Sequence, residues 1–136
     1  MIRCFLDSSV LVDALEPSHA DHHERAVALL ERTSQRIVEL HVSATVLFET
    51  AYVLERRHRV PRLEVGSLFR NLLALPSVHC RERNELVTTL DLWEQESPLS
   101  FADCYHLVLA ESLRLDGIYS FDRKMGRYPP VERHEP

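Results

Sequence analysis

Apolar positions fall along this chain in two alternating rhythms. Short runs read as strands: Ile2 to Leu6, expected to be buried and central, then Ile37 to Val42, Val78 to Cys80 and Ile118 to Phe121, with a last short strand around Val131. Between them lie longer stretches with apolar residues at helical spacing. Ser8 or Ser9 is placed to cap a helix through Leu15, limited by Pro17. A second helix is expected from Ser18, with Ala26, Leu29 and Leu30 on its inner face. Ser43 reads as the N-cap of a third that ends near His58. Pro61, a residue favoured at the first helical position, opens a fourth that carries Leu63, Leu68, Leu72 and Leu73 and stops at Leu75 before Pro76. Asn84 reads as the cap of a fifth through about Glu96, with Leu86, Val87, Leu90 and Trp93 as its apolar positions. Ser100 opens a sixth through Leu115, and Gly117 stands where a helix-ending glycine belongs.

Strands separated by helices of that length need crossover connections. The pattern therefore predicts an α/β fold with a mainly parallel sheet, covered by helices on both faces. In such sheets functional groups gather at the carboxyl ends of the strands.

Composition adds boundaries. At 136 residues the chain reads as one domain, 1–136, with no low-complexity stretch, linker or repeat. No apolar run is long enough to cross a bilayer, and Asp7 interrupts an N-terminal stretch already too short for a signal peptide, so the expectation is a cytoplasmic protein without a membrane partner. Cys4, Cys80 and Cys104 are far apart and show no CxxC spacing, which indicates neither disulfides nor a zinc finger. The net charge of −5 argues mildly against a broad electrostatic nucleic-acid binder, yet it is also what a carboxylate metal site produces before its cations are counted. Lys124 is the sole lysine; the other basic residues are arginines, suited to bidentate phosphate contact.

The candidate chemistry is carboxylate chemistry. Asp7 directly follows the first strand, and Asp122 directly follows Ile118 to Phe121, so both are expected at carboxyl ends of strands. Each also reads as a loop or cap aspartate. Ser120, two before Asp122, would share its strand face and could orient a water or a carboxylate. Glu49 lies within Val46, Glu49 and Val53, an i, i+3, i+7 stripe of an apolar helix. Burial there would disfavour its charge unless a cation, an arginine or hydrogen bonds held it. Asp103, in Ser100-Phe101-Ala102-Asp103, fits a capping box and also a helix start at the sheet edge. Together these acids would repel one another unless metal neutralised them, and hard oxygen ligands select Mg²⁺ or Mn²⁺. Such ions activate water and stabilise the attacking and leaving oxygens of a phosphodiester displacement; one metal and two both remain open.

Four segments carry a family resemblance. Phe5-Leu6-Asp7-Ser8-Ser9-Val10-Leu11-Val12 resembles the opening of a PIN domain. Phe48-Glu49 is similar to that family's second acidic position, and Ser100-Phe101-Ala102-Asp103-Cys104-Tyr105-His106-Leu107-Val108-Leu109-Ala110 to its third. Gly117-Ile118-Tyr119-Ser120-Phe121-Asp122-Arg123-Lys124 resembles the region where Ser or Thr lies two before an Asp. Order and spacing match over nearly the whole chain. Cys104 and Tyr105 depart from the alanine often found there, and Asp116 is an alternative fourth acid that reads more simply as a helix-end turn. The resemblance implies a three-layer α/β/α sandwich around a central parallel sheet. It also implies a Mg²⁺- or Mn²⁺-dependent endoribonuclease that leaves 5′-phosphate and 3′-hydroxyl ends, with Asp7, Glu49, Asp103 and Asp122 as metal ligands. The compact size is similar to VapC-type toxins of toxin–antitoxin pairs, which implies a homodimer and a small antitoxin partner.

Other features carry less. His19 and His23 are four apart beside Asp21, His22 and Glu24, but HExxH is absent and a solvated helix start explains them. Arg56, Arg57, His58, Arg59 and Arg62 form the clearest basic cluster, either for RNA phosphates or an acidic antitoxin segment, or as a solvated helix end. Arg123, Lys124 and Arg127 follow Asp122 and are the better placed for substrate. Trp93 reads as core rather than a base-stacking platform. The rival readings are a PIN-like RNA- or protein-binding module without cleavage, and a phosphatase or DNA nuclease using the same metal.

Overall fold

The computed structural model describes residues 1–95 and 98–136. The chain divides into two compact units, Met1–Arg83 and Asn84–Pro136. All three strand pairings among the described residues are parallel, as crossover helices require.

The first unit holds β1 (Ile2–Phe5), α1 (Ser8–Leu15), α2 (Ala20–Ser34), β2 (Val38–His41), α3 (Ala44–Arg56), α4 (Arg62–Ala74) and β3 (Val78–His79). Its sheet runs in the order β1-β2-β3, with Ile2 opposite Val38, Phe5 opposite His41 and His41 opposite His79. Burial alternates along β2: Val38 and Leu40 are buried, while Glu39 and His41 on the opposite face are half-buried. Leu11, Leu47, Leu54, Val65, Phe69, Leu73 and Val78 are buried with them, each at most 1% exposed.

Several expectations shift here. Ile2 to Leu6 was expected as a buried, central strand; β1 is instead an edge strand of this sheet and is exposed throughout, with only the following Leu6 buried. Within this sheet β2 is its strand neighbour. Ser18 does not cap α2: its hydroxyl donates to Glu16, and His19 Nδ1 accepts from the His22 amide at 3.2 Å instead. Leu63, one of the apolar residues expected to be carried by α4, is exposed, and Val65, Phe69, Leu72 and Leu73 form its buried face. Helix α2 ends in a Schellman turn, with Arg36 left-handed (φ 61°) and Ile37 N–H bonded to Arg32 O.

The fifth helix, α5 (Arg83–Gln95), belongs to the second unit except for its first residue. It begins one residue before the expected cap Asn84, and its expected end at Glu96 lies outside the described residues. Then come α6 (Phe101–Ser112), β4 (Ile118–Tyr119), a 3₁₀ turn (Arg123–Arg127) and β5 (Arg133–His134), with β4 and β5 paired. Leu86, Leu90, Trp93, Leu99, Phe101, Cys104 and Leu107 are buried in this unit. Trp93 meets Phe101 edge-on, ring centres 5.2 Å apart, so it is core as expected.

Helix α6 stops three residues short of Leu115. Arg114, not Gly117, adopts the left-handed conformation (φ 55°), with Leu115 N–H bonded to Ala110 O and Arg114 N–H to Glu111 O. Gly117 serves another purpose: a Cβ there would stand 2.3 Å from Glu132 O and 2.7 Å from the His134 ring. The glycine lets β4 and β5 close on each other. The last strand falls at 133–134 rather than around Val131, which is instead a buried residue of the turn before it. β4 is likewise shorter than Ile118 to Phe121, since only Ile118 and Tyr119 pair with β5.

Candidate active site

In the first unit Asp7 follows β1 after one intervening residue, Leu6, whose amide still bonds to His41 O at 2.9 Å. Asp7 is thus held at the carboxyl end of a parallel strand, as the sequence predicted. Its extended backbone (φ −83°, ψ 152°) makes it the N-cap of α1. One carboxylate oxygen, Oδ2, accepts from the Ser9 hydroxyl at 2.6 Å and the Ser9 amide at 3.1 Å. The hydroxyl first, and then the Ser9 and Ser8 amides, hold the Asp7 carboxyl below the usual carboxylate range against a smaller opposing effect of burial.

Glu49 reaches the same turn. Ser8 Oγ donates to Glu49 Oε2 at 2.9 Å, so two adjacent serines in the first turn of α1 tie down both acids. The expected burial of Glu49 in an apolar stripe is corrected: Glu49 is exposed, with Val46 and Val53 only half-buried beside it. The buried positions of α3 are Ala44, Leu47, Thr50, Ala51 and Leu54, a stripe that turns Glu49 toward water.

In the second unit Asp103 completes a capping box at the start of α6. Its Oδ2 accepts from the Ser100 amide at 3.2 Å, and its own amide donates to Ser100 Oγ at 3.1 Å. Asp122 caps the 3₁₀ turn: Oδ1 accepts from the Lys124 amide at 3.0 Å, and Lys124 Nζ lies 3.8 Å from Oδ2. Ser120 Oγ accepts from the Asp122 amide at 3.0 Å, leaving its hydroxyl hydrogen to donate elsewhere. Arg123, Lys124 and Arg127 all lie in the exposed turn that Asp122 opens.

The carboxylates of Asp7, Glu49 and Asp103 are therefore each held by a nearby serine, and that of Asp122 by the Lys124 amide. Among the described residues no lysine or arginine forms an ion pair with Asp7 or Glu49. Their charges are fixed in position by neutral hydroxyls and amides, and are not cancelled. Such oxygens suit a hard divalent cation, and the donor set fits Mg²⁺ or Mn²⁺ on that ground.

The sequence reading missed a different cluster. On one face of the first sheet Glu39 Oε1 lies 3.3 Å from both His41 Nε2 and His79 Nε2. The i, i+2 pair Glu39 and His41 was visible as one strand face. His79 joins it only through the β2–β3 register, which no local pattern reveals. The His19–His23 stretch forms local bonds instead: His22 Nδ1 pairs with Asp13 at 3.2 Å and His23 Nδ1 meets Asp13 O at 2.7 Å. In the basic cluster, Arg62 pairs with Glu55 at 3.1 Å.

A comparison with known families places the PIN domain on residues 4–129, nearly the whole chain. The chain belongs to the PIN domain family. Its α/β fold with parallel strands is that of the family, whose members are generally nucleases that bind RNA and commonly depend on divalent metal. No curated protein matches the chain closely enough to count as a relative. No helix among the described residues is long and apolar enough to cross a membrane.

Proposed function

We propose that the chain is a divalent-metal-dependent endoribonuclease, the toxin of a toxin–antitoxin pair, acting as a single nuclease domain over 1–136. The observation that carries this reading is the double tether in the first turn of α1, where Ser9 holds Asp7 and Ser8 holds Glu49 with no fixed cation on either acid. Asp7, Glu49, Asp103 and Asp122 are the proposed Mg²⁺ or Mn²⁺ ligands. The bound ion supplies positive charge that activates water and stabilises the leaving oxygen. The protein's part is positional. Ser9 keeps Asp7 ionised, Ser8 aims Glu49, and the Ser120 hydroxyl hydrogen is available to a carboxylate or a water. Arg123, Lys124 and Arg127 would meet the RNA backbone, which fixes register without reading sequence.

The remaining parts of the proposal have separate supports. The exposed apolar residues Ile2 and Phe5 on an edge strand suit pairing with a second copy, in keeping with a homodimer. Exposed arginines Arg56, Arg57 and Arg59 suit an acidic segment of a small antitoxin. Cysteines that form no disulfide among the described residues suit the reducing cytoplasm.

The test uses the full chain with RNA, DNA and a phosphomonoester, with Mg²⁺ or Mn²⁺ and with chelator. RNA cleavage is expected only with metal. Asp7→Asn keeps the cap and removes the charge, and should lower the rate at least about 100-fold, more than loss of a supporting residue costs a metal site. Undiminished cleavage by Asp7→Asn would refute the mechanism. A binding module without cleavage would show no saturable Mn²⁺ binding that Asp7→Asn removes. Growth arrest on expression, relieved by the product of a small reading frame directly upstream, tests the toxin assignment on its own.

A further inference from the structure

The face of the first sheet opposite Val38 and Leu40 carries Arg3, Glu39, His41 and His79, and three of these side chains converge. Glu39 Oε1 is 3.3 Å from His41 Nε2 and 3.3 Å from His79 Nε2, and the three ligand atoms all lie within 4.8 Å of one another. The two imidazoles stack, centres 4.9 Å apart and planes 27° from parallel, so both present the same edge toward the carboxylate. Backbone register enforces this. Glu39 and His41 are two apart on β2, and His79 is the direct partner of His41 on β3.

We propose that Glu39, His41 and His79 form a second metal site, selective for a borderline-soft divalent cation of the Zn²⁺ class and separate from the carboxylate site. The separations support it. A tetrahedral ion with ligand bonds of about 2.0 Å spaces its ligand atoms about 3.3 Å apart, the value found from the glutamate to each histidine. Two imidazole nitrogens and one carboxylate form the three-ligand set that leaves a fourth position to water. The donor chemistry divides the two sites: imidazole favours Zn²⁺ over Mg²⁺, whereas Asp7 and Glu49 offer only oxygen.

Arg3 is the present competitor. Its Nε donates to the same Glu39 oxygen at 3.0 Å, and with other contacts it holds the Glu39 carboxyl ionised and below its usual range. The Arg3 side chain is 67% exposed, so exchanging it for a metal returns the guanidinium to water at little cost. The side chains become less exposed from His79 (49%) through His41 (35%) to Glu39 (18%), so the site opens to solvent on the His79 side. An ion can enter there without any rearrangement of the strands.

The inference does not depend on the nuclease reading, and its test keeps the two apart. The metal-free full chain is titrated with Zn²⁺ by calorimetry, and with Co²⁺ followed by visible absorption, in excess Mg²⁺ to fill the oxygen site. One Zn²⁺ per chain is expected, with the absorption of nitrogen-ligated, low-coordinate Co²⁺. His79→Gln should weaken binding at least tenfold; the position is half-exposed, and far-UV circular dichroism verifies that the variant is folded. Asp7→Asn should bind Zn²⁺ as the wild type does. No saturable binding in excess Mg²⁺, unchanged binding in folded His79→Gln, or loss of binding in Asp7→Asn would each overturn the proposal.

Discussion

Gly117→Ala is the substitution whose cost the structure fixes best. The new Cβ would lie 2.3 Å from Glu132 O and 2.7 Å from two atoms of the His134 ring. Ordinary heavy-atom contact begins near 3.5 Å, so the β5 backbone must retreat by about 1 Å. The His134 ring can rotate aside, but a backbone carbonyl cannot. That same carbonyl accepts from Ile118 N at 2.9 Å, and the next rung, Ser120 N to His134 O, is also 2.9 Å. A retreat of that size breaks the first bond and strains the second, each worth about 1 kcal/mol net. Residual crowding adds about 1–3 kcal/mol, so the expected loss is about 2–4 kcal/mol. Urea unfolding would measure it, and amide exchange at Ile118 and Ser120 would locate it. Gly126→Ala is the internal control. Its Cβ would find nothing nearer than Arg133 Cβ at 3.8 Å, and its φ is not positive, so a neutral effect or a gain of about 0.4–1 kcal/mol is expected. A Gly117→Ala protein within about 0.5 kcal/mol of wild type would refute the close-approach argument.

Two further outcomes follow from local geometry. Burial, and after it the hydrogen bond donated to Glu111, pushes the Tyr128 hydroxyl up from its ordinary value near 10 to about 12. The folded state thus favours the protonated phenol: its contribution is full below pH 10 and lost as pH rises from 10 through 12, a loss that unfolding curves across that window should show flattened in Tyr128→Phe. At Arg114 (φ 55°) the left-handed conformation costs a side-chain-bearing residue about 1–2 kcal/mol, and the added chain entropy of glycine costs about 0.4–1, so Arg114→Gly should raise stability by about 0.5–1 kcal/mol in urea unfolding, and a lower midpoint would contradict the turn.

Element types were legible from the sequence because their signals are local. Alternation in Val38 to His41, helical spacing in Leu86, Leu90 and Trp93, and the Ser100–Asp103 capping box each lie within one turn or one strand. Ends were less legible where two local solutions compete. Ser18 and His19 both offer a capping side chain, and Ser18 turned back to Glu16. Gly117 looked like a helix terminator because that is the commonest use of glycine after a helix. Its real constraint is the approach of Glu132, fifteen positions on and invisible to any window. The candidate acids were found for a partly wrong reason at one position. Glu49 stood out as an expensive buried charge, yet it is exposed and tethered by Ser8, a contact spanning 41 positions. The Glu39, His41 and His79 cluster was missed on the same account, since strand register is a tertiary fact.

The explanation of these acids as helix caps and their explanation as metal ligands are not rivals. Asp7 caps α1, Asp103 closes the capping box of α6, and Asp122 caps the 3₁₀ turn. At Asp7 and Asp103 the cap fixes the carboxylate through backbone amides and, at Asp7, a hydroxyl, and among the described residues places no cation on it. Asp122, by contrast, also has Lys124 Nζ 3.8 Å from its Oδ2. At Asp7 both Ser9 bonds fall on Oδ2, so the cap does not occupy the whole carboxylate. An arginine partner would hold the acid as well, but it would contest the oxygen with any incoming metal, as Arg3 does at Glu39. Capping is thus a way to hold negative charge in place while leaving it available. The two roles part under one substitution. Asparagine caps as well as aspartate but carries no charge, so a purely structural acid tolerates Asp→Asn in both stability and activity. An acid that caps and also ligates keeps its stability and loses its activity.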